Sequence, residues 1–356
     1  MRFFWLYRVP ADRYRAQTIQ VIHAAHAMAL RGHEVWVPVD RGPGSEELDP
    51  EVLFGLTPCP RLRLIPLGRN PVGSLQFRAA LWRWAMRPGD RRVVVARSKR
   101  HAARASRWLG SRFDLFMEFH EVDSELARER QEDPSFWRGL EGRVLKEAQG
   151  VFTNAEGTLA CLRDAWPDWS GPARVVHNAT RADRCRSPET EGEGYGVMGS
   201  VLPEKGFETL ADAARDAPHA IHVIGPRSRW HEELITRSKG KLVFEDPVPY
   251  QEVPDRLAGF RAVILPLGSG LFGRALTSPL KLWDYAVCGR PVVAADTPAV
   301  RSALPGHDLL YRPGDASSLL AALEEAERRP DPVRPRLRTW HERAAEMEIF
   351  IEEHLS

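Results

Sequence analysis

Ser278-Pro-Leu-Lys-Leu-Trp-Asp-Tyr-Ala-Val-Cys-Gly-Arg-Pro-Val-Val-Ala-Ala-Asp296 combines a helix, a stop signal and a strand in 19 residues. Pro279 suits the first position of a helix, where its missing N–H is not needed. Gly289 predicts the helix end, because a residue in the left-handed region commonly stands there. The apolar run after Pro291 is typical of a strand that is buried on both faces. The stretch therefore predicts an α/β unit with a parallel sheet.

The start of such a helix is also suited to bind a ligand. Free N–H groups and the helix dipole attract phosphate near Ser278. Asp284 lies about 1.7 turns further along the helix, within reach of sugar hydroxyls on a ligand whose phosphates lie at the helix start. An ordinary amphipathic helix before a strand is the alternative interpretation.

The same stretch resembles the donor-site motif of the GT-B glycosyltransferases of family 4, which combines Ser-Pro-Leu-Lys-Leu, an acid before Tyr-Ala, and Gly-Arg-Pro-Val-Val-Ala. The resemblance implies that the helix start faces the diphosphate of a nucleotide-sugar. It also implies that Asp284, where the family usually has Glu, holds the ribose. The residues of this stretch that it assigns to donor binding are Thr277, Ser278, Pro279, Leu280, Lys281 and Asp284. One departure is Leu276, which stands where the family has an earlier Glu.

Composition limits the class of protein. The 356 residues favour two domains, and 43% hydrophobic with 28% charged residues are typical of a soluble globular chain. A net charge of +2 does not indicate a nucleic-acid binder. The four scattered cysteines predict free thiols in a reducing compartment. Because no apolar run reaches ~18 residues and the N-terminus resembles a strand more than a signal peptide, we expect a cytoplasmic protein.

Predicted strands and helices alternate along the chain, which indicates parallel sheets with helices on both faces. Residues 181–194 are polar and aperiodic and predict a linker. With the resemblance, this order predicts the GT-B fold: two Rossmann-like, doubly wound domains that face each other across a cleft. Residues 1–180 are expected to bind the acceptor and residues 195–335 the nucleotide-sugar. A last helix within 336–356 is expected to cross back onto the first domain.

A loop near the start of the second domain predicts a phosphate contact. Gly199-Ser-Val-Leu-Pro-Glu-Lys-Gly206 follows a predicted strand and precedes a helix, so Lys205 adds a point charge beside exposed N–H groups. The loop resembles the family's diphosphate loop, in which Arg often stands where this chain has Ser200; Lys281 is placed to supply that charge. The other donor-side residues that the resemblance assigns are Gly199, Gly225 and, beside the nucleotide base, Val248 and Pro249.

The first domain contains a predicted strand, Phe113–His120, that ends in His120-Glu121. Ligands of doubly wound sheets lie at the carboxyl ends of strands, although a lone His in an apolar strand is more often structural. Glu-x-His followed by an acid resembles a family motif that faces the reacting sugar. It implies catalytic roles for His120 and Glu121, with Lys205 at the leaving group. The residues expected on the acceptor side are Arg15, Gln17, Thr18 and Arg97.

Residues 78–112 are rich in arginine with interleaved aromatic residues. Two solvated helix faces with inward-facing tryptophans would explain the pattern. The alternative is a surface for anionic lipid headgroups or for an anionic acceptor, since each basic residue near such a membrane contributes ~1 kcal/mol. Peripheral contact with the inner face of a membrane is therefore a second expectation for the location.

The resemblance implies a retaining glycosyltransferase (a hexosyltransferase). We expect it to act without a metal or other cofactor, since no Asp-x-Asp motif ends a predicted strand. Its partners would be a nucleotide-diphosphate sugar, with UDP favoured over GDP, and an acceptor hydroxyl in glycan, glycolipid or natural-product biosynthesis. The departures at Leu276, Ser200 and Asp284 would fit an inactive nucleotide-binding or scaffold protein instead. A sugar-nucleotide epimerase is disfavoured by Ser-Pro-Leu-Lys, and a Rossmann dehydrogenase by the missing G-x-G-x-x-G after the first strand.

Overall fold

The structure is a computed structural model that describes residues 1–10, 16–41, 49–68, 70–89, 91–188, 191–276, 280–329 and 337–355. The chain divides into two compact units. Unit 1 comprises Met1–Asn154, Thr158–His177 and Trp340–Ser356, and unit 2 comprises Ala155–Gly157 and Asn178–Thr339. All four cysteines are free thiols. No helix in the described part of the chain is both long and apolar enough to cross a membrane.

Unit 1 contains a seven-stranded parallel sheet in the order β3-β2-β1-β4-β5-β6-β7. Its strands are β1 (Arg2–Leu6), β2 (Glu34–Asp40), β3 (Leu62–Leu67), β4 (Arg92–Ala96), β5 (Asp114–Phe119), β6 (Gly150–Thr153) and β7 (Ala173–Val175). Its helices are α1 (Ala16–Leu30), α2 (Pro50–Phe54), α3 (Val72–Met86), α4 (Lys99–Leu109), α5 (Asp123–Glu129), α6 (Ser135–Glu147), α7 (Glu156–Ala165) and the last helix of the chain, α14 (Trp340–Glu353). The central strands β1, β4 and β5 are buried almost throughout because helices cover the sheet on both sides.

Unit 2 contains a six-stranded parallel sheet in the order β10-β9-β8-β11-β12-β13. Its strands are β8 (Tyr195–Met198), β9 (Ile221–Ile224), β10 (Leu242–Glu245), β11 (Ala262–Leu265), β12 (Val292–Ala295) and β13 (Leu310–Tyr311). Its helices are α8 (Phe207–Ala214), α9 (His231–Arg237), α10 (Val253–Ala258), α11 (Leu280–Val287), α12 (Pro298–Ala303) and α13 (Ala316–Arg328). In each unit the strand order reverses beside the first strand, so both sheets have a switch point where ligands of such folds bind.

Local signals set several element ends. Ser98 caps α4 by accepting a hydrogen bond from the N–H of His101. Thr297 caps α12 by accepting one from the N–H of Val300. Gly289 has a φ of +75°, which confirms the predicted stop after α11.

A π-helical turn covers Phe272–Leu276, before α11. Glycine makes the turn feasible, since a Cβ on Gly273 would lie 2.2 Å from the carbonyl oxygen of Gly268. Strand β7 ends at Val175, which pairs with Thr153 at the end of β6.

The last helix packs on unit 1, which confirms the prediction that the C-terminal helix crosses back. Phe350 of α14 contacts Phe116 and Phe152 at ring-centroid distances of 6.1 and 5.1 Å. Arg343 forms an ion pair with Glu118 of β5, and both side chains are about 1% exposed. A helix that follows unit 2 in the chain thus completes the core and the charge balance of unit 1.

We expect Arg343→Met to destabilise unit 1 by ~3–5 kcal/mol, because it leaves the Glu118 carboxylate buried without its main counter-charge. The double variant Arg343→Met/Glu118→Gln should recover most of that loss. Free energies of unfolding from urea titration with tryptophan fluorescence test this. Equal losses in the single and the double variant would contradict it.

Candidate functional site

The carboxyl end of β8 carries the first candidate site, in unit 2. Tyr285 of α11 accepts a hydrogen bond of 2.8 Å from the N–H of Met198, which fixes α11 against the end of this strand. Gly199 follows with a φ of +113°. The positive φ favours glycine here, and a Cβ at this position would lie 2.6 Å from both Cε and Nζ of Lys281.

Lys205 and Lys281 form a lysine pair beside this glycine. The Lys205 ammonium donates to the hydroxyl of Ser200 at 2.6 Å and to its carbonyl oxygen at 3.2 Å. Burial lowers the pKa of Lys205, an effect that the neighbouring Glu204 opposes. Burial and the charge of Lys205 hold the pKa of Lys281 well below its ordinary value. Neither ammonium forms an ion pair with a carboxylate of the described residues, so the local field attracts an anion.

The ends of β8 and β9 bring a second predicted glycine to the same edge. The Gly225 N–H donates to the carbonyl oxygen of Glu245 at 3.0 Å, and a Cβ on Gly225 would lie 2.4 Å from the carbonyl oxygen of Gly199. Val248 and Pro249 follow β10 and are half-buried. Their contact with a nucleotide base stays a prediction.

Asp284, expected to hold the ribose, lies in a buried cluster on α11. Its Oδ1 accepts hydrogen bonds from the hydroxyls of Tyr250 at 2.9 Å and Thr180 at 3.4 Å, and from the Arg184 guanidinium at 3.2 Å. Burial raises the pKa of Asp284 against the attraction of Arg184. The cluster also shows that part of the predicted linker 181–194 is ordered, because a 3-10 turn over Ala182–Arg184 buries the arginine. The carboxylate therefore ties α11 to the start of unit 2.

Several predicted residues cannot be placed. Thr277, Ser278, Pro279 and Arg15 lie outside the residues that the structure describes. Leu280, the first described residue of α11, is buried and apolar. Leu276, at the position of the family's earlier Glu, is 1% exposed at the end of the π-helical turn, so it offers no polar side chain to a ligand.

The carboxyl end of β5 carries the second candidate site, in unit 1. The amide nitrogen of Asn154, after β6, lies 3.2 Å from Nδ1 of His120. With that amide donating, the imidazole proton resides on Nε2, which faces Oε1 of Glu118 at 3.3 Å. Burial and the charge of Arg97 lower the pKa of His120 to about 4, against the attraction of Glu118. His120 is therefore a neutral, oriented imidazole at pH 7.

Glu118 lies beside this imidazole and is hydrogen-bonded to side chains of two helices, α14 and α1. Besides Arg343, the amide of Gln20 in α1 donates to Oε1 of Glu118 at 2.8 Å. Arg97, after β4, donates to the amide oxygen of Gln20 at 2.5 Å. Burial would raise the pKa of Glu118, but Arg343, His120 and Arg97 outweigh it and hold the pKa below its ordinary value. The carboxylate is thus ionised and fixes the position of His120.

Glu121 is the predicted catalytic acid next to His120. It is half-buried, and burial together with the charge of Asp123 raises its pKa. The Lys99 ammonium donates to its backbone oxygen at 2.9 Å and pairs with Asp123, so the strand end is fixed. A carboxyl with a raised pKa at a strand end is typical of a functional position.

The residues predicted on the acceptor side lie in two different environments. Arg97 and Gln17 remain near the site: the Arg97 guanidinium lies 5.7 Å from the ring centre of Tyr7, whose hydroxyl donates to Gln17 at 2.6 Å. Thr18 needs correction, because it is fully buried and its hydroxyl donates to the carbonyl oxygen of Pro10. The hydrogen bond to Pro10, near the start of α1, occupies the Thr18 hydroxyl.

Sequence reasoning missed the residues that orient the predicted ones. They are Gln20, Glu118, Asn154, Thr180, Arg184, Tyr250 and Arg343. Glu118 had a signal, because it opens the Glu-x-His motif. The described residues contain no group of three or more His, Cys, Asp or Glu side chains that could hold a metal ion.

Comparison with solved structures places these sites in a known architecture. The structure of Anabaena Alr3699/HepE in complex with UDP and glucose matches with a TM-score of 0.70 and 15% identity, over 99% of this chain and 95% of that one. This chain has the GT-B fold. AviGT4, a glycosyltransferase involved in avilamycin A biosynthesis, matches with a TM-score of 0.67 and 14% identity over 99% and 98% of the two chains. The α,α-trehalose 6-phosphate synthase from Burkholderia multivorans matches with a TM-score of 0.61 and 13% identity over 99% and 95%.

Sequence comparison points the same way for unit 2. Residues 194–328 match the family model of the glycosyl transferases group 1. No curated protein matches the sequence significantly. The family match and the GT-B fold together support a glycosyltransferase, and the matched residues include the lysine pair.

We expect Asn154→Asp to raise the pKa of His120 from about 4 by one pH unit or more, because a carboxylate beside Nδ1 stabilises the imidazolium. NMR titration of histidine-labelled protein measures this pKa. Thr158→Val is the matched control, since it removes the hydroxyl that donates to Asn154 without adding charge. An unchanged pKa in Asn154→Asp would contradict the assigned contact.

Proposed function

We propose that this protein is a metal-independent, retaining glycosyltransferase that uses a nucleotide-diphosphate sugar, with UDP as the preferred nucleotide. The lysine pair beside Gly199 carries the proposal. Two half-buried ammonium groups without an ion-pair partner among the described residues suit a diphosphate, whose charge they would neutralise. The group 1 family match over residues 194–328 supports the assignment of these lysines to the donor.

In the proposed reaction the bond between the anomeric carbon and the diphosphate oxygen breaks, and its electron pair leaves with the diphosphate. Lys205 and Lys281 stabilise that charge. The acceptor oxygen forms the new bond to the anomeric carbon, and its proton passes to the departing diphosphate. Retention of configuration follows from the resemblance to family 4 and belongs to the proposal.

In unit 1, His120 and Glu121 are the proposed contacts for the reacting sugar. A neutral imidazole, with Nδ1 beside the Asn154 amide and Nε2 3.3 Å from Glu118, adds no charge beside an oxocarbenium-like centre. Arg97 and Gln17 are proposed to face the acceptor. The acceptor hydroxyl would belong to glycan, glycolipid or natural-product biosynthesis.

UDP should raise the Tm of the protein by the same amount with and without EDTA, because lysines would bind the diphosphate in place of a metal. A ligand at about 100 times its Kd stabilises a protein by about 2.7 kcal/mol. Thermal unfolding with UDP, GDP and ADP measures the shift, and release of UDP from UDP-sugars measures turnover. A shift that disappears with EDTA would contradict metal independence.

Lys205→Gln should weaken UDP binding, seen as a smaller Tm shift, and slow turnover, each by at least about tenfold. The substitution keeps a donor for Ser200 but removes the charge. Lys239→Gln, an exposed lysine of the same unit, is the matched control and should behave as the parent protein. UDP binding without any turnover on UDP-sugars would favour the inactive scaffold suggested by Leu276, Ser200 and Asp284.

A further inference from the structure

A cavity in unit 1 lies between α3 and α4, beside the carboxyl end of β1. Three arginines (Arg8, Arg78 and Arg104) and one histidine (His101) line it. Trp108 and Phe77 supply aromatic surface to the same cavity. None of these six residues belongs to the network around His120 and Glu118. We refer to this feature as the arginine pocket.

The arginine pocket has an excess of positive charge. Arg8 is held in place by Asp40 at 2.6 Å and by the amide oxygen of Asn70 at 2.5 Å. Arg78 and Arg104 form no ion pair with any carboxylate of the described ranges. The charge of Arg8 is thus balanced by Asp40, whereas two guanidinium groups at the rim remain available to an anion.

His101 lies in the pocket, and its pKa reflects this excess of positive charge. Its Nδ1 is buried and has no hydrogen-bond partner among the described residues. Burial and the charges of Arg104, Arg8 and Arg100 lower the pKa of His101 to about 4. An anion in the pocket would accept a hydrogen bond from the imidazole and offset the repulsion from the arginines.

The apolar part of the pocket indicates what else the ligand carries. The Arg78 guanidinium stacks on the ring of Trp108 at 4.9 Å, and the Phe77 ring packs on His101 at 5.0 Å. Guanidinium groups bind phosphate oxygens in pairs, and the two available ones with one imidazole match a phosphate group better than a single carboxylate. The aromatic rings favour an apolar or ring-shaped substituent on that phosphate.

The outer face of α3 adds an independent feature beside the pocket. Its exposed apolar side chains repeat at helical spacing and form one row next to Arg78. They are Val72, Leu75, Ala79, Trp82 and Met86. Leu75 is 63% and Trp82 is 57% exposed, so the row presents large apolar side chains to solvent. Such a row beside a phosphate pocket suits a phosphate ester that carries a lipid chain.

We infer that the arginine pocket binds the phosphate group of an acceptor that is a phosphate ester, either lipid-linked or soluble. The inference rests on the proposed function for the role of the ligand as acceptor, whereas phosphate binding by the pocket does not depend on it. Arg104 and Arg78 would bind the phosphate oxygens, and His101 would donate a hydrogen bond from the pocket floor.

Titration calorimetry with phenyl phosphate tests the pocket directly. Arg104→Gln should weaken binding about tenfold or more, the loss expected for a hydrogen bond to a charged group. Arg107→Gln is the matched control, because Arg107 is exposed on the same helix and does not line the pocket. Equal binding by both variants, or no binding by the parent protein, would overturn the inference.

Histidine NMR gives a second readout that a change in folding would not mimic. The resonance of His101, assigned with His101→Gln, should titrate at a higher pH in the presence of phenyl phosphate than in its absence. A titration that does not move while calorimetry reports binding would place the phosphate elsewhere and overturn the inference.

Vesicles distinguish the two sources of phosphate. Phosphatidylcholine vesicles with added phosphatidic acid should bind the protein, and Arg104→Gln should lose more of that binding than Arg107→Gln, if the ester is lipid-linked. Phenyl phosphate binding without vesicle binding would support a soluble ester. UDP-induced Tm shifts in the same variants should stay unchanged, so a failed pocket and a failed donor site give different results.

Discussion

Mutual repulsion between two half-buried ammonium groups is the interaction on which the proposed chemistry of unit 2 depends. Lys205 is placed by its hydrogen bonds to Ser200, and the end of the Lys281 side chain lies beside Gly199. Like charges in a half-buried position are unfavourable unless an anion joins them. The hydrogen bond from Met198 to Tyr285 keeps α11, and with it Lys281, in this position. The unit therefore stores an unfavourable charge arrangement that a diphosphate would relieve.

In unit 1, by contrast, the buried carboxylate of Glu118 is paired with a positive charge. Glu118 receives Arg343 and Gln20, and the resulting carboxylate orients a neutral His120. In the proposed reaction, a neutral His120 adds no positive charge beside a sugar whose anomeric carbon gains positive charge. The uncompensated charge of unit 1 lies instead in the arginine pocket.

The sequence predicted the alternation of strands and helices well, because buried parallel strands are apolar on both faces and glycines mark helix ends. Short motifs indicated Lys205, Lys281 and His120 as candidate site residues, and their roles stay predictions. The sequence could not indicate Arg343 as the partner of Glu118, because 225 residues separate them and Arg343 occurs in an ordinary amphipathic helix pattern. Thr18 and Asp284 show a second limit: both are hydrogen-bonded within the fold, and a sequence does not distinguish such a residue from one that binds a ligand.

Proton uptake on nucleotide binding tests the central claim most directly. At pH 8.5 the phosphates of UDP are fully ionised, so a proton that is taken up must come to the protein. Calorimetric titration in buffers of different ionisation enthalpy counts these protons. Our account predicts net uptake that is smaller in Lys205→Gln, because the diphosphate opposes the lowering of the pKa values of both lysines and the variant removes one of them. UDP binding with no proton uptake in the parent protein would contradict it.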